Sequence, residues 1–218
     1  MPKIRVFLAE DHTIVRKGIR SLLNGQPDIE VVGEAANGRD AVEQVETLQP
    51  DIVLMDITMP ELNGLEATRR IKKEHPHIKV LVLTMYTNEE YIHQLLQAGA
   101  SGYLDKHTAP NELVLAIQSV NRGDPFLSPS ISKTIIEEYL RQSDDTHPED
   151  NYDKLSSRER EVLQLLAEGH SYKDVAEKLQ ISVKTVGVHR INIMEKLTIS
   201  NSAELVKYAI RKGIISLD

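Results

Sequence analysis

The sequence predicts two folds in series, an α/β domain built on a parallel five-stranded sheet and then a small all-α domain. Three observations lead there. Up to residue 122, short aliphatic runs alternate with amphipathic stretches of helical length; beyond residue 155 every segment carries helical signals; and between them "SDDTHPED" at 143–150 is polar, acidic and broken by a proline. A length of 218 residues suits two modest domains better than one.

In chain order, strand-like runs fall at 4–9, 29–33, 52–55, 80–83 and 102–104, with helix-like segments between and after them at 13–24, 38–48, 64–74, 88–98 and 110–121. In the last of these, Leu113, Val114, Ile117 and Val120 recur at three and four residues, the spacing of one buried helix face. Five strand–helix units in a row imply a parallel sheet covered on both sides, with right-handed crossovers. The pattern breaks at Gly123, Pro125 and Pro129, and one further helix is predicted at 130–141 before the acidic linker. The domains are therefore expected at 1–124 and 151–218, with a linker at 125–150.

The second domain reads as four helices. Ser156 with Glu159, and Ser171 with Asp174, pair a capping hydroxyl with an acid three residues on, the pattern of a capping box. The first helix ends at Glu168-Gly169, Ser182 opens a helix over 183–197, and a break at Gln180-Ile181 joins it to its predecessor as a helix-turn-helix requires. A last helix is expected at 202–212. Val162, Leu165, Leu166, Val175, Ala176, Leu179, Val183, Val186, Ile193, Met194 and Leu197 supply apolar positions for a shared core.

Composition narrows the function. The sequence has no cysteine, which excludes disulfides, thiol catalysis and thiolate metal sites. No apolar run approaches the roughly 18 residues that cross a membrane, and no signal-peptide pattern follows Met1, so a cytoplasmic protein with no membrane partner is expected. The net charge of −7 divides into +2 over residues 151–218 and −9 over the remainder, an asymmetry that points to a nucleic-acid module on an acidic partner.

In an open parallel sheet, functional groups gather at the carboxyl ends of the strands. The sequence places Glu10 and Asp11 after the first strand, Asp56 after the third, Thr84 at the end of the fourth and Lys106 after the fifth. Clustered carboxylates repel and raise one another's pKa unless a cation joins them, and a hard divalent ion such as Mg2+ takes oxygen ligands. Asp56 could then attack a phosphoryl group, Lys106 and the ion would offset charge on its oxygens, and Thr84 could hydrogen-bond one of them. One acid after a strand is often only a helix cap; five such groups at one edge are not explained that way. A nucleotide site would need a Gly/Ser/Thr-rich loop where Glu10 and Asp11 stand, and a dehalogenase-type phosphatase would need an acid where Thr58 stands.

Glu10-Asp11, "DITMP" around Asp56, Thr84, and "GYLDK" with Tyr103 and Lys106 resemble the receiver domain of two-component response regulators, a flavodoxin-like fold. The resemblance implies that Glu10, Asp11, Asp56 and the Thr58 backbone carbonyl surround Mg2+. It implies that Asp56 is the phosphoacceptor for a sensor histidine kinase, that Lys106 pairs with the phosphoryl group, and that Thr84 and Tyr103 form the switch. Asp105 departs from the pattern, standing where related sequences usually carry an apolar residue, so it is expected to compete for Lys106 or to weaken the last strand.

The stretch from Leu155, "LSSREREVLQLLAEGHSYKDVAEKLQISVKTVGVHRINIMEKL", is similar to the DNA-binding domain of the NarL/LuxR class. That resemblance makes 183–197 the recognition helix. It implies that Lys184, Thr185, Arg190 and Lys196 grip phosphates, that Gly187, Val188 and Ile191 face base edges, and that His189 and Asn192 belong to the same exposed face. Gly187 is unexpected inside a helix, where glycine costs about 1 kcal/mol relative to alanine. Either Val188 and Ile191 touch thymine methyls, or a contact has been lost.

The whole sequence is thus read as a transcriptional response regulator, not an enzyme, that binds promoter DNA as a dimer after phosphorylation, with the last helix as the dimer contact. Two alternatives remain at this point: a phosphorylation-independent DNA-binding protein whose receiver only dimerises, and a metal-dependent phosphatase.

Overall fold

The computed structural model describes residues 2–85, 89–106, 110–129, 131–133 and 151–215. The chain divides into two compact units, Met1–Asp144 and Asp145–Asp218.

The first unit is a parallel sheet of β1 (Ile4–Ala9), β2 (Ile29–Ala35), β3 (Ile52–Asp56), β4 (Lys79–Thr84), β5 (Gly102–Asp105) and β6 (Phe126–Leu127) in the order β2-β1-β3-β4-β5-β6. Its helices are α1 (Thr13–Asn24), α2 (Gly38–Leu48), α3 (Gly64–Glu74), α4 (Glu89–Gln97) and α5 (Pro110–Arg122). β3 and β4 are buried over nearly their whole length, as central parallel strands covered on both faces must be. A core of Val6, Leu8, Leu23, Ile29, Ile52, Leu54, Leu81, Leu83 and Leu104 packs against Leu113, Ala116, Ile117 and Val120 of α5. The direction of the crossovers reverses between β1 and β3, so their carboxyl ends flank a crevice.

β6 departs from the five-strand expectation. Phe126 and Leu127, assigned above to the linker, pair in parallel with Gly102 and Tyr103. A strand of two residues between prolines shows no alternation to read. Its closeness depends on Gly102, where a Cβ would stand 2.9 Å from the Phe126 carbonyl oxygen. Of the helix expected at 130–141, all but 131–133 lies outside the described residues, as does the acidic segment 143–150.

The second unit opens with a 3-10 turn, Asn151–Lys154, followed by α6 (Ser157–Ala167), α7 (Tyr172–Leu179), α8 (Val183–Leu197) and α9 (Ser202–Arg211). Both expected capping boxes form, at Ser156 with Glu159 and at Ser171 with Asp174. Ser182 caps α8 by accepting from the Thr185 amide at 3.0 Å. The turn before it places Gln180 at φ 53° and returns the Ile181 amide to the Ala176 carbonyl, closing the carbonyls that a helix end leaves open.

Most of the expected core is buried, with Leu166 and Met194 half-buried. Val183 is the exception: it is 49% exposed at the first turn of α8. Leu163, absent from the expected core, is fully buried, together with Glu159, Glu161 and Gln164 on the same helix. α6 is enclosed on nearly every side, so a one-face periodicity cannot mark its core. Tyr152 is buried beneath the Arg160 guanidinium, 5.0 Å above its ring.

Candidate functional site

The first site lies at the carboxyl ends of β1, β3, β4 and β5. Asp56 is the last residue of β3, so the strand itself fixes its backbone. The chain then turns sharply: the Gly64 amide donates to the Ile57 carbonyl at 2.7 Å and the Gly38 amide to Leu62 at 3.0 Å. A Cβ on Gly64 would lie 1.9 Å from the Asp56 carbonyl oxygen, and one on Gly38 would lie 2.1 Å from that of Leu62. Both glycines are therefore required by close approach, and they pin the 57–63 loop beneath the acid. Asn63 caps α3 by accepting from the Glu66 amide.

Glu10 and Asp11 follow β1, and their backbone carbonyls accept from the Arg16 guanidinium at 2.6 and 3.2 Å. One oxygen from each of Glu10, Asp11 and Asp56, with a ring nitrogen of His12, all lie within 4.8 Å of one another. Glu10 and Asp56 are buried. Lys106, held by its amide to the Thr84 carbonyl at 2.8 Å, projects its Nζ to 2.7 Å from both Glu10 Oε2 and Asp56 Oδ2.

Burial pushes the Asp56 carboxyl up to about 7; the Lys106 ammonium opposes this, and the Glu10 carboxylate adds to it. Burial alone would pull Lys106 down, but the Asp56 and Glu10 carboxylates outweigh it and leave the ammonium raised. His12, chiefly through Asp11 at 2.7 Å, is raised as well. His12 was missed in the sequence, where its only signal is adjacency to the acidic pair.

Thr84 and Tyr103 lie on neighbouring strands, both buried. Val82 pairs with Tyr103 and Thr84 with Asp105, so the hydroxyl and the ring emerge on the same side of the sheet. Asp105 closes β5 in register, and the strand is not lost. Thr58 is half-buried, and its hydroxyl has no hydrogen-bond partner among the described residues.

The second site is the outer face of α8. Lys184, Val188, Ile191 and Lys196 are exposed; Thr185, Gly187, His189, Arg190 and Asn192 are half-buried. Two of the expected phosphate contacts have partners within the protein. Arg190 donates to the Ser202 hydroxyl at 3.1 Å, and the Lys196 ammonium lies 2.7 Å from Glu159 Oε2.

A buried acid held against an ammonium at the switch point of a parallel sheet, in a chain that also carries a helix-turn-helix unit, defines a receiver-controlled regulator that binds DNA. Residues 6–118 match the response regulator receiver domain family, and residues 153–209 match the luxR family of bacterial regulatory proteins. The chain belongs to the NarL/LuxR-type two-component response regulators, which are DNA-binding transcription regulators and not enzymes. It is 40% identical over 215 residues to the oxygen regulatory protein NreC of Staphylococcus haemolyticus, covering 97% of this chain and 99% of that protein. A LuxR-family two-component response regulator from an Aurantimonas species is 39% identical, with a TM-score of 0.61, over 63% of this chain and 99% of that one. RcsB from Salmonella enterica serovar Typhimurium, solved bound to the rprA promoter in the presence of the phosphomimetic BeF3-, is 28% identical with a TM-score of 0.60, over 94% of this chain and 98% of that one. No helix among the described residues is long and apolar enough to cross a membrane.

Proposed function

We propose that Asp56 accepts a phosphoryl group from the phosphohistidine of a sensor histidine kinase in a Mg2+-dependent reaction, and that the phosphorylated protein binds promoter DNA as a dimer. The observation that carries this reading is the single ammonium of Lys106 bridging Glu10 and Asp56 at 2.7 Å. It holds a would-be nucleophile between a cation and an acid pair.

The donor set suits Mg2+: Glu10, Asp11 and Asp56 offer carboxylate oxygens converging within 4.8 Å, the hard ligands this ion takes, and the Thr58 carbonyl would complete them. When bound, the ion supplies positive charge against the equatorial phosphoryl oxygens. Asp56 Oδ then attacks phosphorus, a P–O bond forms as the P–N bond breaks, and the histidine nitrogen leaves with the electron pair. Lys106 exchanges a carboxylate partner for a phosphoryl oxygen. Thr84 donates its hydroxyl to another, and Tyr103 occupies the interior position that accompanies this movement.

In the second unit, Lys184, Thr185, Arg190 and Lys196 meet phosphates while Gly187, Val188 and Ile191 face the bases, with His189 and Asn192 on the flanks. The chain is divided at 1–124, 125–150 and 151–218, the middle segment beginning with the β6 strand on the receiver sheet, with α9 as the contact between copies on DNA, and it works in the cytoplasm. Pairing matters because one module with few cations binds weakly and two linked half-site contacts add avidity.

The test is incubation with a small acyl phosphate and Mg2+, followed by sedimentation and promoter binding of wild type and Asp56→Ala. Wild type should gain both dimer and DNA affinity, and the variant neither. Identical behaviour in both assays would refute the switch and favour a receiver that only dimerises.

A further inference from the structure

The outward stripe of α8 runs Lys184, Val188, Ile191, Glu195, spaced by four, three and four residues, which is one helix face. Its two middle members are aliphatic and exposed, Val188 by 49% and Ile191 by 56%. Gly187 lies beside them. Outside its own helix backbone, a Cβ there would meet one atom, a Tyr172 ring carbon at 4.0 Å. The packing of the unit therefore has room for a side chain at 187, and nothing among the described residues calls for glycine. Gly64 and Gly38 are the opposite case, each pressed against a backbone oxygen. An explanation for Gly187 has to come from what α8 touches.

Valine and isoleucine neither donate nor accept hydrogen bonds. In the major groove, the feature that an apolar side chain distinguishes is the C5 methyl group of thymine. Resting on the reading of α8 as the recognition helix, we propose that Val188 and Ile191 read sequence through the methyl groups of neighbouring thymines. Gly187 provides the clearance that seats them, and the exposed ring of Tyr172 forms the side wall. The ligand is duplex DNA whose half-site presents two thymine methyls at adjacent steps on the major-groove edge. The ends of the stripe confine this readout: Lys184 favours a phosphate, whereas the Glu195 carboxylate repels one.

The test uses the full chain, treated with an acyl phosphate and Mg2+, to select duplexes from a random pool. The best-bound duplex is then remade with deoxyuridine for every thymidine, which removes the methyls and keeps the pairing. Wild type should bind the uracil duplex about tenfold more weakly. A Val188→Ala, Ile191→Ala double variant should bind both duplexes alike, and its thermal melt should match wild type because both side chains are exposed. Gly187→Gln should lose discrimination while keeping its fold. Equal binding of the two duplexes by wild type overturns methyl readout but leaves DNA binding intact. Failure to enrich any duplex overturns the recognition-helix reading itself, and this inference with it.

Discussion

The Lys106 ammonium stands 2.7 Å from Asp56 Oδ2, yet the acid beside it is raised to about 7 because burial outweighs the pairing. Between the ordinary value of 3.8 and about 7, folded Asp56 keeps a proton that the unfolded chain has lost. Stability therefore falls as pH rises through that window. Asp56→Asn removes the cost of ionising a buried acid. Its melting temperature should exceed that of wild type by several degrees at pH 8, the difference should shrink as pH falls, and the two should converge only below the ordinary value of 3.8. Added Mg2+ should raise wild type at pH 8 more than the variant. A melting difference independent of pH would contradict this account.

Gly64 begins α3 directly behind the Asp56 backbone. Gly64→Ala places a methyl 1.9 Å from the Asp56 carbonyl oxygen, so the loop or the strand end must shift. The expected loss is about 3 kcal/mol in urea unfolding, on the scale of overpacking a rigid site. Mg2+ affinity should weaken in parallel in titration calorimetry. A stable variant with unchanged Mg2+ binding would show that the loop is more accommodating than its hydrogen bonds indicate.

Glu159 ties the last turn of α8 to the start of α6 through Lys196. Burial works to raise this carboxyl, but hydrogen bonds from Lys196 and Ser156 prevail and hold it below its usual range. A depressed acid stabilises above its unfolded value, and that stability is lost as pH falls. Glu159→Gln preserves the capping pattern but removes the charge. It should cost about 1 kcal/mol at pH 7 and progressively less as pH falls below the ordinary value of 4.5. Released from Glu159, Lys196 should also steepen the salt dependence of DNA binding by about one counterion. An unchanged slope would mean that Lys196 serves only as a strut.

Thr198 ends α8 at φ 57°, a left-handed conformation that a β-branched residue tolerates poorly. Its side chain is exposed, so little packing opposes replacement. Thr198→Gly should stabilise the protein by about 0.5 to 1 kcal/mol in chemical denaturation, with DNA affinity unchanged. Destabilisation would indicate that the threonine side chain holds the turn.

How much could be read in the sequence depended on how far apart the interacting residues lie. Glu10, Asp56 and Lys106 were legible as one site because strand periodicity alone places each at the same sheet edge. The helix caps at Ser156, Ser171 and Ser182 were legible because donor and acceptor sit three residues apart. The Lys196 pairing was not, since its partner is 37 residues away and the sequence shows only a cation on a polar face. Leu163 and Val183 were misjudged for a related reason: one helix is enclosed all round, and the other turns its first residue outward. The raised Asp56 acid was expected from carboxylate repulsion, but its leading cause is burial, which no local pattern of charges encodes.

β6 gives the connecting segment an unexpected anchorage. Leu127 pairs with Tyr103, and the next amide, that of Ser128, donates to the Tyr103 carbonyl at 3.0 Å. The polypeptide heading for the DNA-binding unit is thus fastened to the backbone of the residue whose ring sits deepest in β5. Any sliding or tilting of that strand would therefore carry residues 126–128 with it, so the start of the connecting segment shares the fate of Tyr103.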